Sequence, residues 1–307
     1  MRVLPTIKKT IKNPIYIFSL PRIFPFINLI PDEVYLKLRY KAKLGRYPDL
    51  RNPKLFTEKM QWLKLHDRCP EYVRFVDKYE ARKIISEKCG AKYLIPLLGV
   101  WDSADDIDFS KLPDQFVLKC THDSGGIVIC RDKNTFDIKA AKQRLTKLLK
   151  YNYFWHSREY PYKKVKPRII CEKYMTDESV TELKDYKVSC FNGEPKFIQL
   201  DYDRYTSHKR NMYDTEWNPL SFSVNAFYAD ALRTFKRPSA LDEMLDISRE
   251  MSKGYPFLRV DFYVVNETLY LGELTLYPAS GMGIITPPEY EGILGELLDI
   301  SGMHRDF

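Results

Sequence analysis

The sequence has no C-x-x-C pair, although six cysteines are spread from Cys69 to Cys190. Several stand inside apolar runs (FVLKC, IVIC, RIIC, KVSC), where a reduced cysteine behaves as a small core residue. Zinc needs clustered ligands, and the five histidines are scattered, so neither a metal–thiolate site nor a disulfide framework is expected. Nothing resembles a secretory signal, and the expected setting is a reducing cytoplasm. No apolar run approaches the roughly 20 residues that a membrane-spanning helix needs. Prolines and Arg22 break up the apolar stretches of residues 1–31, which also carry Lys8, Lys9 and Lys12. That stretch reads either as an arm packed on the body or as an interfacial anchor making peripheral membrane contact. G-x-G-x-x-G and G-x-x-x-x-G-K-[ST] are both missing, so a bound nucleotide would not be held in the Rossmann or P-loop manner. There is no internal repeat, no low-complexity linker and no Ser/His/Asp or Cys/His arrangement.

What is present is enough apolar material for a sizeable core: 307 residues, 44% hydrophobic and 14% aromatic. Lys and Arg outnumber Asp and Glu by 49 to 41, which favours anionic partners: nucleotide phosphates, acidic sugars, a membrane surface or nucleic acid. Residues 32–92 show helical spacing, notably in FTEKMQWLKLHD and in 77–88, where Asp77 is placed to cap. Beyond them, apolar runs at 116–121 and 127–130 flank His122-Asp123-Ser124-Gly125-Gly126 and predict a hairpin. Residues 137–150 read as an amphipathic helix and 168–174 as a strand. Asn192-Gly193 joins strands at 186–191 and 195–200, a helix covers 240–253, and a second hairpin turns at Asn266-Glu267. Helices first, then hairpins alternating with helices, predict an α+β fold rather than a doubly wound sheet.

Three constellations could carry chemistry. In Leu258-Arg259-Val260-Asp261-Phe262-Tyr263 the alternate residues Arg259, Asp261 and Tyr263 share a face, as do Glu273 and Thr275 on the following strand. Pairing 266 with 268 places Asp261 opposite Glu273. Two such carboxylates repel unless a cation neutralises them, and Mg²⁺ is held by oxygen ligands of this kind together with substrate phosphates. An Arg–Asp–Glu ion-pair network stitching the sheet explains the same residues. Lys119, mid-strand among Phe116, Val117 and Leu118, calls for an anionic partner, and Ser124, Gly125 and Gly126 allow backbone N–H groups close to phosphate oxygens. Glu172 and Lys173 close a strand whose end can present acceptors to an adenine amino group. A solvated strand end is the plainer alternative.

In this order, and in the segments FTEKMQWLKLHD, VDKYEAR, FVLKCTHDSGG, DYKVSCFNGEPKFIQ, LRVDFY and GELTLYPASG, the chain resembles the TupA-like ATP-grasp family of bacterial surface-polysaccharide gene clusters. The likeness runs over residues 30 to 300. It implies an ATP-grasp fold: a helical N-terminal region (1–115), a small lobe (116–175) and a large lobe with the metal and acceptor site (176–307). It further implies an ATP- and Mg²⁺-dependent carboxylate–amine ligase working through an acyl phosphate. In that reading Lys119, Ser124, Gly125 and Gly126 meet the phosphates, Glu172 and Lys173 the adenine side, and Asp261 and Glu273 the Mg²⁺. Thr275 stands where many relatives have Asn as a third ligand. Lys78 and Lys187 are further phosphate or acceptor candidates, and Arg259, with Arg204 second, stabilises the transferring charge. The implied partners are an amino acid or amine and an acidic saccharide such as a uronic acid of a capsule-like polymer or its precursor. The basic, aromatic stretch 150–168 could receive that saccharide or form a lid. Nucleic acid, lacking any motif, is not expected as a partner. A rival reading takes Asp201 and Asp203, a D-x-D after an apolar strand, as the metal clamp of a glycosyltransferase.

Overall fold

A computed structural model describes residues 28–176, 183–203, 206–225 and 233–303. Residues 1–27 of the expected N-terminal arm, and Arg204, lie outside the described residues. Four helices, α1 (Asp32–Leu44), α2 (Phe56–His66), α3 (Tyr72–Val76) and α4 (Glu80–Lys88), precede strand β1 (Leu97–Trp101). The hairpin β2 (Phe116–Cys120) and β3 (Ile127–Cys130) follows, then α5 (Ile138–Leu149), α6 (Phe154–Ser157) and β4 (Ile169–Lys173). The remainder is β5 (Asp185–Phe191), β6 (Glu194–Tyr202), β7 (Lys209–Tyr213), β8 (Ser223–Val224) and α7 (Leu241–Ser252). It ends with β9 (Phe257–Val265), β10 (Thr268–Thr275), β11 (Ile285–Thr286) and α8 (Tyr290–Leu297). No described helix is long and apolar enough to cross a membrane.

These strands form two main antiparallel sheets, as the α+β expectation requires. One has the order β1-β4-β2-β3 and the other β10-β9-β5-β6-β7. The first takes in β1, which lies before the expected lobe boundary at residue 116. On β2 the alternate residues Phe116, Leu118 and Cys120 are buried, with α5 contributing Ala141, Leu145 and Leu148 to the same core. Val117 and Lys119 therefore face the other way. Helices α2, α3 and α4 share one core with the five-stranded sheet, Phe56, Met60, Phe75 and Ile84 packing in the same cluster as Val188, Val260 and Leu274, while Tyr35, Leu36 and Tyr40 of α1 pack in a smaller cluster with Met282.

The conspicuous segment FTEKMQWLKLHD is a clamp on the C-terminal part of the chain. On α2, Thr57 Oγ1 donates to Glu291 Oε2 at 2.8 Å and Gln61 Nε2 to the Gly281 carbonyl at 2.7 Å. Lys64, fully buried, donates to the Ser280 carbonyl at 2.7 Å, the Ser280 hydroxyl at 2.8 Å and the Ser157 carbonyl at 2.9 Å. Burial lowers its pKa to about 7 in spite of the neighbouring Glu159. The donors Thr57 Oγ1, Gln61 Nε2 and Lys64 Nζ all reach backbone or side-chain acceptors, as buried donors must if their desolvation is to be offset.

The late hairpin corrects one step of the sequence reasoning. Its turn pairs Val265 with Thr268, not 266 with 268, and both turn residues, Asn266 and Glu267, have positive φ as a two-residue hairpin turn requires. That register alone would slide Asp261 away from Glu273. A β-bulge between Leu271 and Glu273 restores the pair. Gly272 is the extra residue, and a Cβ there would come within 2.5 Å of the Tyr263 ring. Gly272→Ala should therefore destabilise the protein by about 1–3 kcal/mol in urea denaturation, through overpacking at the bulge. Gly292→Ala, inside α8 with nothing within 4 Å of a new Cβ, should be neutral or stabilising by up to about 1 kcal/mol.

Candidate active site

A cleft of about 210 Å³ lies between the two sheets, with α3 and α4 along one side. From the four-stranded sheet come Lys119, Ile127, Ile170 and Glu172, and from the five-stranded sheet Asp185, Lys187, Arg259, Asp261 and Glu273. α4 and the segment before it add Lys78, Ala81, Arg82 and Ile85. Register explains the convergence. Lys119 pairs with Ile170, and Glu172 with Val117, so both charged side chains project from the face opposite the α5 core. On the other sheet Glu273, Asp261, Lys187 and Gln199 form one cross-strand row over β10, β9, β5 and β6.

Most of the charges in the cleft are paired with an opposite charge. Lys119 Nζ donates to Glu172 Oε2 at 2.6 Å, and Arg82 Nη1 to Glu172 Oε1 at 2.9 Å. Arg259 holds both oxygens of Asp261 at 2.6 Å and reaches Thr275 Oγ1 at 3.2 Å. Lys187 lies 2.7 Å from Asp185, 3.2 Å from Asp201 and 3.9 Å from Asp261. Lys78 Nζ donates to the Asp123 carbonyl, joining the segment before α4 to the glycine-bearing loop. Burial raises the pKa of Asp261 although Arg259 and Lys187 oppose it, and Glu273 pushes in the same direction as burial. Glu273 itself is exposed.

Seven of the residues singled out from sequence thus line one cleft: Lys78, Lys119, Glu172, Lys187, Arg259, Asp261 and Glu273. Thr275 sits one pair further along the hairpin, opposite Arg259. Ser124, Gly125 and Gly126 line a neighbouring hollow of about 400 Å³ with Gln143, Arg144 and Lys147 of α5. Lys173 does not join the group: it pairs with Phe116, on the sheet face away from Lys119, and is exposed. The stretch 150–168 supplies less open surface than its composition implies. Phe154, Arg158, Tyr162 and Val165 are buried, leaving Trp155, Lys163, Lys164 and Lys166 outside. Sequence reasoning missed Arg82 and Asp185. Arg82 follows Lys78 by one helical turn, and Asp185 precedes Lys187 by one strand repeat, so periodicity alone could have found both.

The D-x-D pair is engaged elsewhere. Asp201 is buried and accepts from Arg210 Nε at 2.6 Å, with Lys187 and His208 also against it. Asp203, at positive φ, pairs with Arg233 at 2.6 Å. Asp201 is thus enclosed by protein cations, and Asp203 already has a partner in Arg233.

A family model described as TupA-like ATPgrasp matches residues 58–299. The chain belongs to the TupA-like ATP-grasp family. No curated protein matches it. Among solved structures, this ATP-grasp chain is similar to a D-alanine–D-alanine ligase from Bacillus anthracis complexed with ATP. The two share 15% identity and a TM-score of 0.43, over 73% of this chain and 64% of that one. A D-alanine–D-alanine ligase from Helicobacter pylori shows 13% identity and a TM-score of 0.39, over 80% and 69% of the two chains. The ATP-grasp ligase PsnB, complexed with a minimal precursor, shows 8% and 0.40 over 86% and 68%. The likeness is one of fold. The chain spans 64% of the length of the first of these ligases.

The Asp201 cluster gives a pH signature. Burial alone would raise this carboxyl, but Lys187, Arg210 and His208 outweigh it and hold the pKa well below the usual range. The stabilisation is complete above the unfolded value, about 4, and is lost as pH falls from there toward the folded value. At neutral pH Asp201→Asn should unfold at lower urea, by about 3 kcal/mol. The gap to wild type should narrow as pH is lowered from about 5 to 3.

Proposed function

We propose that this ATP-grasp chain is an ATP-dependent carboxylate–amine ligase whose cleft grips the nucleotide between its two sheets. The observation carrying this reading is the meeting of five cations (Lys78, Arg82, Lys119, Lys187, Arg259) with Asp261 and Glu273 in one cleft built from both sheets. ATP as substrate carries the anionic charge such a cation set is suited to hold. In this reading the γ-phosphoryl group passes to the acceptor carboxylate, the amine attacks the acyl phosphate, and phosphate leaves as the amide forms.

Lys119 and Lys78 reach the phosphates, and Glu172 faces the base side. Arg259 and Lys187, fixed on adjacent strands, supply positive charge where it builds up on the transferring group. Thr275 orients Arg259 by accepting its Nη2. The residues fit Mg²⁺: Asp261 and Glu273 are directly opposed carboxylates, hard oxygen donors, with Glu273 open to the cleft. Among the described residues no cluster of three His, Cys, Asp or Glu converges, so this pair leaves the remaining positions to phosphate oxygens and water. Bound there, Mg²⁺ supplies electrostatic stabilisation of the phosphates. The buried Cys120, Cys171 and Cys190 thiols, pushed up to about 12 by burial, are unsuited as nucleophiles.

The acceptor we propose is an acidic saccharide, a uronic acid of a surface polymer or its precursor, joined to an amino acid or amine. The family membership and the excess of basic residues support this. Lys163, Lys164 and Lys166, exposed on the segment ahead of β4, are where such a carboxylate-bearing chain would first meet the protein. We place the protein in the cytoplasm, where ATP is supplied.

With MgATP the melting temperature should rise by mass action, and uronic acid plus amine should release ADP. Glu273→Gln should reduce ADP release at least about 100-fold. A melting shift with nucleotide sugars and Mn²⁺ but none with MgATP would overturn the reading.

A further inference from the structure

We propose that Arg82 is a positioning residue for the nucleotide: a reserve counterion of Glu172 that lets Lys119 change partners. The inference rests on Lys119 being a phosphate ligand. Glu172 is 7% exposed, and each of its oxygens has its own cation, Oε2 the Lys119 ammonium and Oε1 the Arg82 guanidinium. Among the described residues these two are the cations within ion-pair distance of it. For Lys119 to serve a phosphate, its ammonium must leave Oε2. A carboxylate this buried, stripped of every cation, is strongly disfavoured, so without a second partner Glu172 would retain Lys119 and compete with the nucleotide.

Arg82 is built to stay behind. Its second arm, Nη2, donates to the Ile95 carbonyl at 2.7 Å, fixing the guanidinium against the segment that enters β1. Its backbone belongs to α4, so it does not ride on the strand that carries Lys119. The two cations also differ in kind. A planar guanidinium anchored at two points is pre-organised for one place, whereas an ammonium on a flexible four-carbon stem can swing between acceptors. The division of labour follows: Arg82 keeps Glu172 aimed into the cleft, and Lys119 moves.

The alternative is a purely structural role, with Arg82 only tying α4 to the segment before β1. Charge rescue separates the two. Binding of MgATP would be measured by isothermal titration calorimetry on wild type, Arg82→Gln, Arg82→Lys, Glu172→Gln and the Arg82→Gln/Glu172→Gln double variant. Glu172→Gln keeps a carbonyl acceptor but releases Lys119. Arg82→Gln should weaken MgATP binding about tenfold, and Arg82→Lys, which keeps the charge, by no more than about threefold. The double variant should bind more tightly than Arg82→Gln alone, a coupling that a broken scaffold does not produce. Equal binding by wild type and Arg82→Gln overturns the inference alone, as does a double variant no tighter than Arg82→Gln. Absence of MgATP binding by wild type overturns the ligase reading along with it.

Discussion

Five cationic and four acidic side chains line one cleft between two sheets, and the rest of the molecule is arranged so that they can coexist there. Ionised groups withdrawn from water are tolerated when each meets an opposite charge at hydrogen-bonding distance. Several of the partners sit on different elements: Glu172 of β4 meets β2 and α4, and Asp201 of β6 lies between Lys187 of β5 and Arg210 of β7, whereas Asp261 and Arg259 share β9. The cleft can hold these charges only if both sheets and the N-terminal helices are in place. Helices α2 to α4 accordingly share a core with the five-stranded sheet instead of forming a detached unit.

The same network tells the carboxylates apart. Asp201 is surrounded by positive charge and its pKa falls, whereas Asp261, equally buried, has a raised pKa with Glu273 opposite it. Two aspartates on one sheet face therefore have opposite characters, set by neighbours and not by residue type. What separates the ligase reading from the glycosyltransferase reading is exposure. Asp201 is buried among protein cations and Asp203 is paired with Arg233, whereas the hairpin pair keeps Glu273 exposed.

Scaffold and chemistry also divide along lines that composition does not reveal. FTEKMQWLKLHD contributes Thr57, Gln61 and Lys64 to fasten the segment that follows β10, and none of the three lines the cleft. Much of the basic, aromatic stretch before β4 is likewise interior, with Arg158 stacked over Tyr35 and Phe154. Residues that look reactive in sequence can be structural when the fold gives them buried acceptors.

The sequence by itself determined most of the helices, the hairpins and most of the cleft, but not the strands β1, β7, β8 and β11. Alternation on β9 already put Arg259 beside Asp261, because side-chain direction in a strand has period two whatever the strand packs against. It also held the motifs of the TupA-like ATP-grasp family. Tertiary structure alone decided the pairings between distant segments. That Arg82 of α4 meets Glu172 of β4, and that side chains of two separate sheets face one cleft, are long-range facts with no local signature. The Asp261–Glu273 pair shows both at once. Its residues were legible, but the register came from a bulge at Gly272, where the absence of a side chain lets the strand take one extra residue against Tyr263.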